Sequence, residues 1–318
     1  MGTYLGEVSP QLNVPAWWAE PPPIAYASGC AAEIALAHAP LLDEIRGYAD
    51  GQQQPYEDFL RIICRQKLNG RVPRVVETGG CTSFAWQAPN GHILVGRNYD
   101  FHPIQKVRQR IHAVPEDGYP SVGMRGSVPV GRYDGVNSAG LFVSLHVVPA
   151  SSPPEFRVGI PFHLIPRLLL ETCTTVKEAI DALMLMPHLH SFNYLLADAA
   201  EFAVVEAHHD RVRIIRPDQN MLAVGNFYQH PQMEALQGRR MQAVSRQRVQ
   251  FLLDHVPALA ADPWEAVTIA LRDRTAPVCG TEGGHTTLWS CVVDLTDRRL
   301  AYAMGSPLNT AYEDVAWA

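Results

Sequence analysis

The chain has 318 residues, a formal net charge of -6, 47% hydrophobic residues and 18% charged residues. This balance suits a folded globular chain and is too apolar for a disordered one. The negative charge excludes a general nucleic-acid binder, since phosphate binding needs a basic face, and no apolar run is long enough to span a bilayer.

Met1 to Gln11 shows no basic start followed by an apolar stretch, so no secretory signal is visible. Gly6 breaks the myristoylation pattern after Gly2. The six cysteines, Cys30, Cys64, Cys81, Cys173, Cys279 and Cys291, form no C-x-x-C pair. They are expected as reduced, mostly buried thiols in a cytoplasmic protein.

In chain order, the first segment to about Glu20 reads as irregular and ends in Pro21-Pro22-Pro23. Ser28 is placed to cap a helix whose apolar stripe runs through Ala31, Ile34, Ala35, Leu41, Leu42 and Ile45, with Pro40 kinking or dividing it. A further helix is expected from Pro55 through Phe59, Ile62, Ile63 and Leu68, stopped by Gly70. Residues 1–80 therefore read as a helical leader and 81–318 as the second unit.

At Cys81 the texture becomes β-like. Phe84 to Gln87 and His92 to Val95 flank Pro89-Asn90-Gly91 as a hairpin. Further strands are expected at 141–148, 194–196, 203–207, 212–215, 289–294 and 300–304. Helices are expected at 162–172, 176–184, 239–253 and 263–271. This order predicts an α+β chain of antiparallel sheets covered by helices.

The hairpin brings chemistry together. A two-residue Asn90-Gly91 loop would set Cys81 opposite Asp100, and a longer loop would shift the partner by a residue or two. Arg97 and Asp100 fall on opposite faces of a regular strand, so for both to reach Cys81 the chain must leave strand geometry near Asn98. A guanidinium beside a thiol raises its thiolate fraction. If the Gly80–Cys81 bond breaks, Cys81 gains an α-amine with a pKa near 7.7–8.0, suited to a general base that Asp100 can orient. Gly80 offers no side chain to block attack of the sulfur on its own carbonyl. Spacing alone leaves the alternative open of a packed core cysteine beside a surface ion pair.

Cys81-Thr82-Ser83-Phe84-Ala85, Gly91 and Gly96-Arg97-Asn98-Tyr99-Asp100 together resemble the start of the mature chain in the choloylglycine hydrolase and penicillin-acyltransferase superfamily. The resemblance extends to Asp134-Gly135-Val136-Asn137-Ser138-Ala139-Gly140-Leu141, Ser191 to Asp198, Val224-Gly225-Asn226-Phe227, Ser245-Arg246, and Thr286 to Ser290 with Asp294-Leu295. It covers about Thr78 to Pro307. It implies the αββα sandwich of N-terminal-nucleophile hydrolases, self-cleavage between Gly80 and Cys81, and a site of Cys81, Arg97, Asp100, an oxyanion-holding Asn226 and Arg246. The long leader resembles the isopenicillin N acyltransferase type, in which it stays bound as a small subunit. Two positions depart from the pattern: His146 stands where relatives place Asn or Tyr, and Gly225 where they place Thr or Asn. His146, Asn193 and Ser83 are weaker candidates for oxyanion or substrate contacts.

The remaining signals are weaker. His188-Leu189-His190 and His208-His209-Asp210 could suggest metal, but a loop and a hairpin turn explain them, and no metal or cofactor is expected. His285 reads as a loop residue beside Gly283-Gly284. Trp17, Trp18 and Trp86 could wall an acyl pocket or serve as ordinary core. Arg239, Arg240, Arg246 and Arg248 make a local basic patch that suits a solvated helix face. Two readings follow. One is an amidase or acyltransferase for linear amides, with a small-molecule acyl amide and its own leader as partners and a homo-oligomer left open. The other is an uncleaved, non-catalytic binding or assembly protein.

Overall fold

A computed structural model of the chain describes residues 22–64, 80–101, 108–126, 128, 130–150, 156–237, 242–280 and 286–318. The leader contributes three helices, α1 (Ile24–His38), α2 (Pro40–Gly51) and α3 (Tyr56–Ile63). Pro40 does divide the first expected helix, and it sits at the first turn of α2, where its missing N–H is no loss. Ser28 lies inside α1 and caps nothing, because the helix already starts after Pro23. Leu68, Gly70, Trp17, Trp18, Arg239, Arg240 and His285 lie outside the described residues.

A six-stranded sheet has the order β10-β1-β2-β11-β12-β13. Its strands are β1 (Thr82–Gln87), β2 (Ile93–Phe101), β10 (Met221–Val224), β11 (Thr286–Asp294), β12 (Arg299–Ala303) and β13 (Glu313–Val315). A seven-stranded sheet runs β3 to β9 in sequence order. It comprises β3 (Arg110–Ala113), β4 (Ser121–Arg125), β5 (Arg132–Asn137), β6 (Phe142–Val147), β7 (Phe192–Ala197), β8 (Phe202–His208) and β9 (Arg211–Ile215). All pairings are antiparallel.

Helices α4 (Ile165–Thr172) and α5 (Val176–Leu185) cover the second sheet, and α6 (Gln242–Leu259) and α7 (Pro263–Leu271) cover the first. The layers are therefore α, β, β, α, as expected. Alternation along β1 sorts the two cores. Ala85 joins the inter-sheet core, while Phe84 and Trp86 pack outward against Val249, Leu252, Val267 and Ala270 of α6 and α7. Trp86 is thus core beneath helices, not a wall of an acyl pocket.

The leader packs on the second sheet's side. Tyr26 meets Phe156 at 5.7 Å between ring centroids, and a Cβ at Gly29 would sit 2.7 Å from Val158 Cγ2, so the glycine permits the close approach of α1. Polar side chains also meet at the seam: Arg167 of α4 pairs with Glu44 of α2 and with Glu171, and His38 of α1 lies 3.1 Å from Glu171.

Asn137 shows why the β5–β6 turn carries its sequence. Its Nδ2 donates to the Leu170 and Cys173 carbonyls at 2.9 and 2.7 Å, tying the turn to the end of α4. Its Oδ1 accepts from the Gly140 and Leu141 N–H groups, and Gly140 takes φ +104°, a conformation suited to glycine. Asn137→Ala removes all four bonds in a buried turn and is expected to cost about 3 kcal/mol. Equilibrium urea unfolding measures it; a loss below about 1 kcal/mol would deny the turn this role.

Candidate active site

Five residues, 88–92, join β1 to β2, and Thr82 pairs with Asn98. The register is one residue away from that of a two-residue loop, so Cys81 comes opposite Tyr99 with Asp100 next along. Cys81 sits just before β1, at the open end of the sheet, and is buried. That position removes the expected conflict between faces. β2 stays a regular strand through Phe101; Arg97 points between the sheets and Asp100 points toward α6, and a residue at the strand end meets both. The irregularity falls instead in the partner strand β11, between Thr287 and Trp289.

Arg97 is fully buried, and its side-chain contacts come from three strands, β1, β5 and β6. Nε donates to Asp134 Oδ2 of β5 at 2.7 Å, Nη2 to the Leu145 carbonyl at 3.1 Å, and Nη1 to Ser83 Oγ at 3.3 Å and His146 Nε2 at 3.1 Å. Asp134 in turn accepts from Trp289 Nε1, Tyr302 Oη and the Met124 N–H. Burial works against the Arg97 charge, but Asp134 and the neighbouring thiols outweigh it and hold its pKa above the ordinary value. Below it, Tyr99 stacks on Trp289 at 3.8 Å and on Tyr133 at 4.9 Å.

Asp100 is held on its other flank. Oδ1 accepts from Thr287 Oγ1 at 2.6 Å, and Oδ2 from Arg248 Nη1 at 3.1 Å. Burial raises its pKa to about 6 against the opposing pull of Arg248, Thr287 and Arg97. Arg248 Nη1 also donates to the Gly80 carbonyl at 2.7 Å. A side chain at Gly80 would run into that guanidinium, which accounts for glycine there. The Cys81 thiol is pushed up to about 11 by burial, with Arg97 and Arg248 pulling it down and the Asp100 charge pushing it up.

The cation on α6 is thus Arg248, not Arg246. Positions two apart point to nearly opposite sides of a helix. Arg248, Leu252 and Val256 form the buried stripe, whereas Arg246 is half-exposed, lies over the Phe227 ring and stands 4.0 Å from Glu234. The signal for Arg248 was available in the sequence: its spacing of four from Leu252 and then Val256 puts it on the apolar face. Asp134 and Thr287 were quoted as parts of motifs without a role.

Asn226 lies beside Gly80. A Cβ on Gly80 would be 3.2 Å from Asn226 Oδ1, while Nδ2 donates to the Val147 carbonyl at 2.8 Å and keeps its second hydrogen. Gly225 allows this: any side chain there would collide with Ser245 Oγ, which accepts the Asn226 N–H at 2.8 Å. Asn193 does not offer a donor to a substrate. Both Nδ2 hydrogens are used, on the Gly225 and Phe227 carbonyls at 3.0 and 2.8 Å, so Asn193 clamps the loop that carries Asn226. Glu206 of β8 extends the clamp by accepting from the Gln229 and His230 N–H groups. His146 takes the Arg97 hydrogen on Nε2 and is kept neutral by burial first and Arg97 second. It braces Arg97, as Ser83 does.

Among the described residues, two clusters could offer three ligands to an ion: His208-His209-Asp210, and His92 with Asp294 and Asp297. In the first, the residues form the β8–β9 turn, and Arg157 pairs with Asp210. In the second, Asp294 bonds His92 at 2.9 Å and accepts the Thr296 and Asp297 N–H groups. His188 donates to the Leu183 carbonyl in the loop before β7.

Comparison with known proteins bears on the same frame. No curated protein matches the chain in sequence. Among solved structures, the Caenorhabditis elegans N-acylethanolamine-hydrolyzing acid amidase ortholog superposes with a TM-score of 0.52 at 18% identity, covering 68% of this chain and 93% of that one. Penicillin V acylase from Agrobacterium tumefaciens gives a TM-score of 0.52 at 19% identity, covering 74% and 86%. These likenesses establish the fold as that of the N-terminal-nucleophile hydrolases. Residues 86–309, most of the chain, match the family described as acyl-coenzyme A:6-aminopenicillanic acid acyl-transferase, and the chain belongs to that family.

Proposed function

We propose that this chain is an amide hydrolase or acyltransferase that cuts itself between Gly80 and Cys81 and then uses Cys81 as its nucleophile. The observation that carries the reading is the grip of Arg248 on the Gly80 carbonyl, with Asp100 and Arg97 on either side of the thiol. Arg248 polarises the one carbonyl that Cys81 Sγ must attack. In the proposed cut, sulfur adds to that carbonyl carbon, the C–N bond breaks, the nitrogen takes a proton and becomes the Cys81 α-amine, and water releases Gly80 from the thioester. Turnover repeats the chemistry on an external amide. Sulfur forms the acyl thioester, the α-amine passes a proton to the departing amine, and water or another amine takes the acyl group. Arg248 and the second Asn226 hydrogen are the donors available to the oxyanion.

The two solved neighbours are named for hydrolysing N-acylethanolamines and for acting as an acylase on penicillin V, which supports an acyl amide as the substrate class. No helix among the described residues is long and apolar enough to cross a membrane. All six cysteines are free thiols, which supports a reducing, cytoplasmic setting. The leader is proposed to remain as a bound small subunit, since α1 to α3 bury Ile34, Leu41, Phe59 and Ile63 in the shared core.

Intact-mass measurement tests the cut: the parent should give Met1–Gly80 and Cys81–Ala318, and Cys81→Ala one uncut chain without amidase activity. A parent that stays whole would sink the proposal in favour of a non-catalytic binder. Arg248→Met should slow cleavage by about 100-fold or more, the typical effect of losing one oxyanion donor, while Arg246→Met should cleave at the parental rate. Equal rates in both variants would remove Arg248 from the chemistry. On native gel filtration the two fragments should co-elute; a separated, fully active Cys81–Ala318 fragment would contradict the small-subunit assignment.

A further inference from the structure

We infer that Thr287 is a positioning residue for this site, its hydroxyl fixing the Asp100 carboxylate beside Cys81. The inference rests on the function proposed above. Two independent features point to it: the direction of the hydroxyl proton and a bulge that aims the side chain.

Thr287 is fully buried, and its hydroxyl has one hydrogen to give. The Gly280 N–H donates to Oγ1 at 3.0 Å, so that contact takes a lone pair and leaves the hydrogen free. The remaining neighbours are Asp100 Oδ1 at 2.6 Å and the Cys279 sulfur at 3.4 Å. A carboxylate at that distance is the far stronger acceptor. The proton therefore lies on the line to Asp100, a carboxylate that the Gly280 N–H also favours directly.

The bulge explains how Thr287 comes to point there. Thr287 pairs with Asp100 and Trp289 with Tyr99, leaving Leu288 as an extra residue. Trp289 faces between the sheets, where it donates to Asp134. In an unbroken strand Thr287, two residues earlier, would share that face. The extra residue turns it to the opposite face, the one occupied by Asp100. The carboxylate is then held at both oxygens, by Thr287 and by Arg248.

The charged and titratable groups facing Asp100 are Arg248 from α6, Arg97 from its own strand, and the Cys81 and Cys279 thiols. Burial opposes the ionised carboxylate, and both arginines, Thr287 and the Gly280 N–H favour it. Removing the hydroxyl deletes one of the favouring groups. The carboxyl must then titrate at higher pH, and any step needing ionised Asp100 loses activity from the acid side.

The test uses the full chain, in parent, Thr287→Val and Thr287→Ser forms. The Asp100 carboxyl is followed by 13C NMR against pH in aspartate-labelled protein, its signal assigned with Asp100→Asn. Thr287→Val keeps size and shape and should move the carboxyl midpoint up by about one pH unit, with Thr287→Ser close to the parent. The acid limb of amide turnover should move the same way in Thr287→Val and return in Thr287→Ser. A carboxyl midpoint in Thr287→Val equal to the parent's would overturn the inference, whatever the turnover. A shifted midpoint in a chain family without any amide turnover in the parent would uphold the hold of Thr287 on Asp100 and overturn the function on which its catalytic meaning rests.

Discussion

Arg97 and Asp134 meet at 2.7 Å with no exposure on either side chain, and they join two different sheets. Charges withdrawn from water in this way are tolerated only when each is paired and further hydrogen-bonded; breaking such a pair by removing one partner typically costs about 3–5 kcal/mol. Here the condition is met on both sides. Asp134 receives donors from β2, β4, β11 and β12, and Arg97 gives to β1, β5 and β6. The pair therefore fixes the distance and register between the sheets at the end where Cys81 lies. Bracing by Ser83 and by neutral His146 belongs to the same network, and it explains why a histidine can stand at that position without becoming a second cation.

Charge is layered around the thiol. Arg97 with Asp134 makes a nearly neutral pair on the inner side, and Arg248 with Asp100 makes another on the outer side. Burial dominates what remains, leaving the thiol up at about 11 and Asp100 at about 6. A sulfur so placed is mostly protonated at neutral pH, so its reactivity depends on a nearby base. On the proposed reading the chain supplies that base by its own cleavage, because the carbon that carries the new α-amine is bonded directly to the carbon that carries the sulfur.

How much of this was legible in the sequence follows from which forces are local. The strands 141–148, 203–207 and 289–294 and the helices α5 and α7 announce themselves by periodicity and caps, such as Thr175 accepting from Glu178 and Asp262 from Glu265. β3, β4 and β10 did not, because they are short and their placement depends on partners far along the chain. At the site, Cys81, Arg97 and Asp100 were legible because one hairpin brings them together. The choice of Arg248 over Arg246 turned on helical phase, which the S-R resemblance overrode. Asn193 is expected from the sequence as a weaker oxyanion or substrate contact; both of its Nδ2 hydrogens instead hold the loop at Gly225 and Phe227, whose path no local pattern reveals.

Two glycines stand where polar side chains crowd the Gly80–Cys81 junction and the Asn226 loop. A Cβ on Gly80 would displace the Arg248 guanidinium from its bond to the Gly80 carbonyl, and one on Gly225 would meet Ser245 Oγ one loop away. The Gly80 carbonyl and the Arg248 guanidinium meet at 2.7 Å, with Asn226 Oδ1 alongside Gly80. In the intact chain the Gly80 carbonyl occupies the Arg248 donor. If the same donor later receives an external acyl carbonyl, the chain's own peptide is the first occupant of the acyl site, and the site opens to others only when Gly80 moves away. The leader helices need not move with it. Their anchors, Glu44 on Arg167, His38 on Glu171 and α1 against Val158, lie on the α4 side of the second sheet. The contacts that hold the helices, with Arg167, Glu171 and Val158, are thus distinct from the Arg248 contact that holds the Gly80 carbonyl, so on the proposed reading release of the Gly80 end is compatible with retention of the helices.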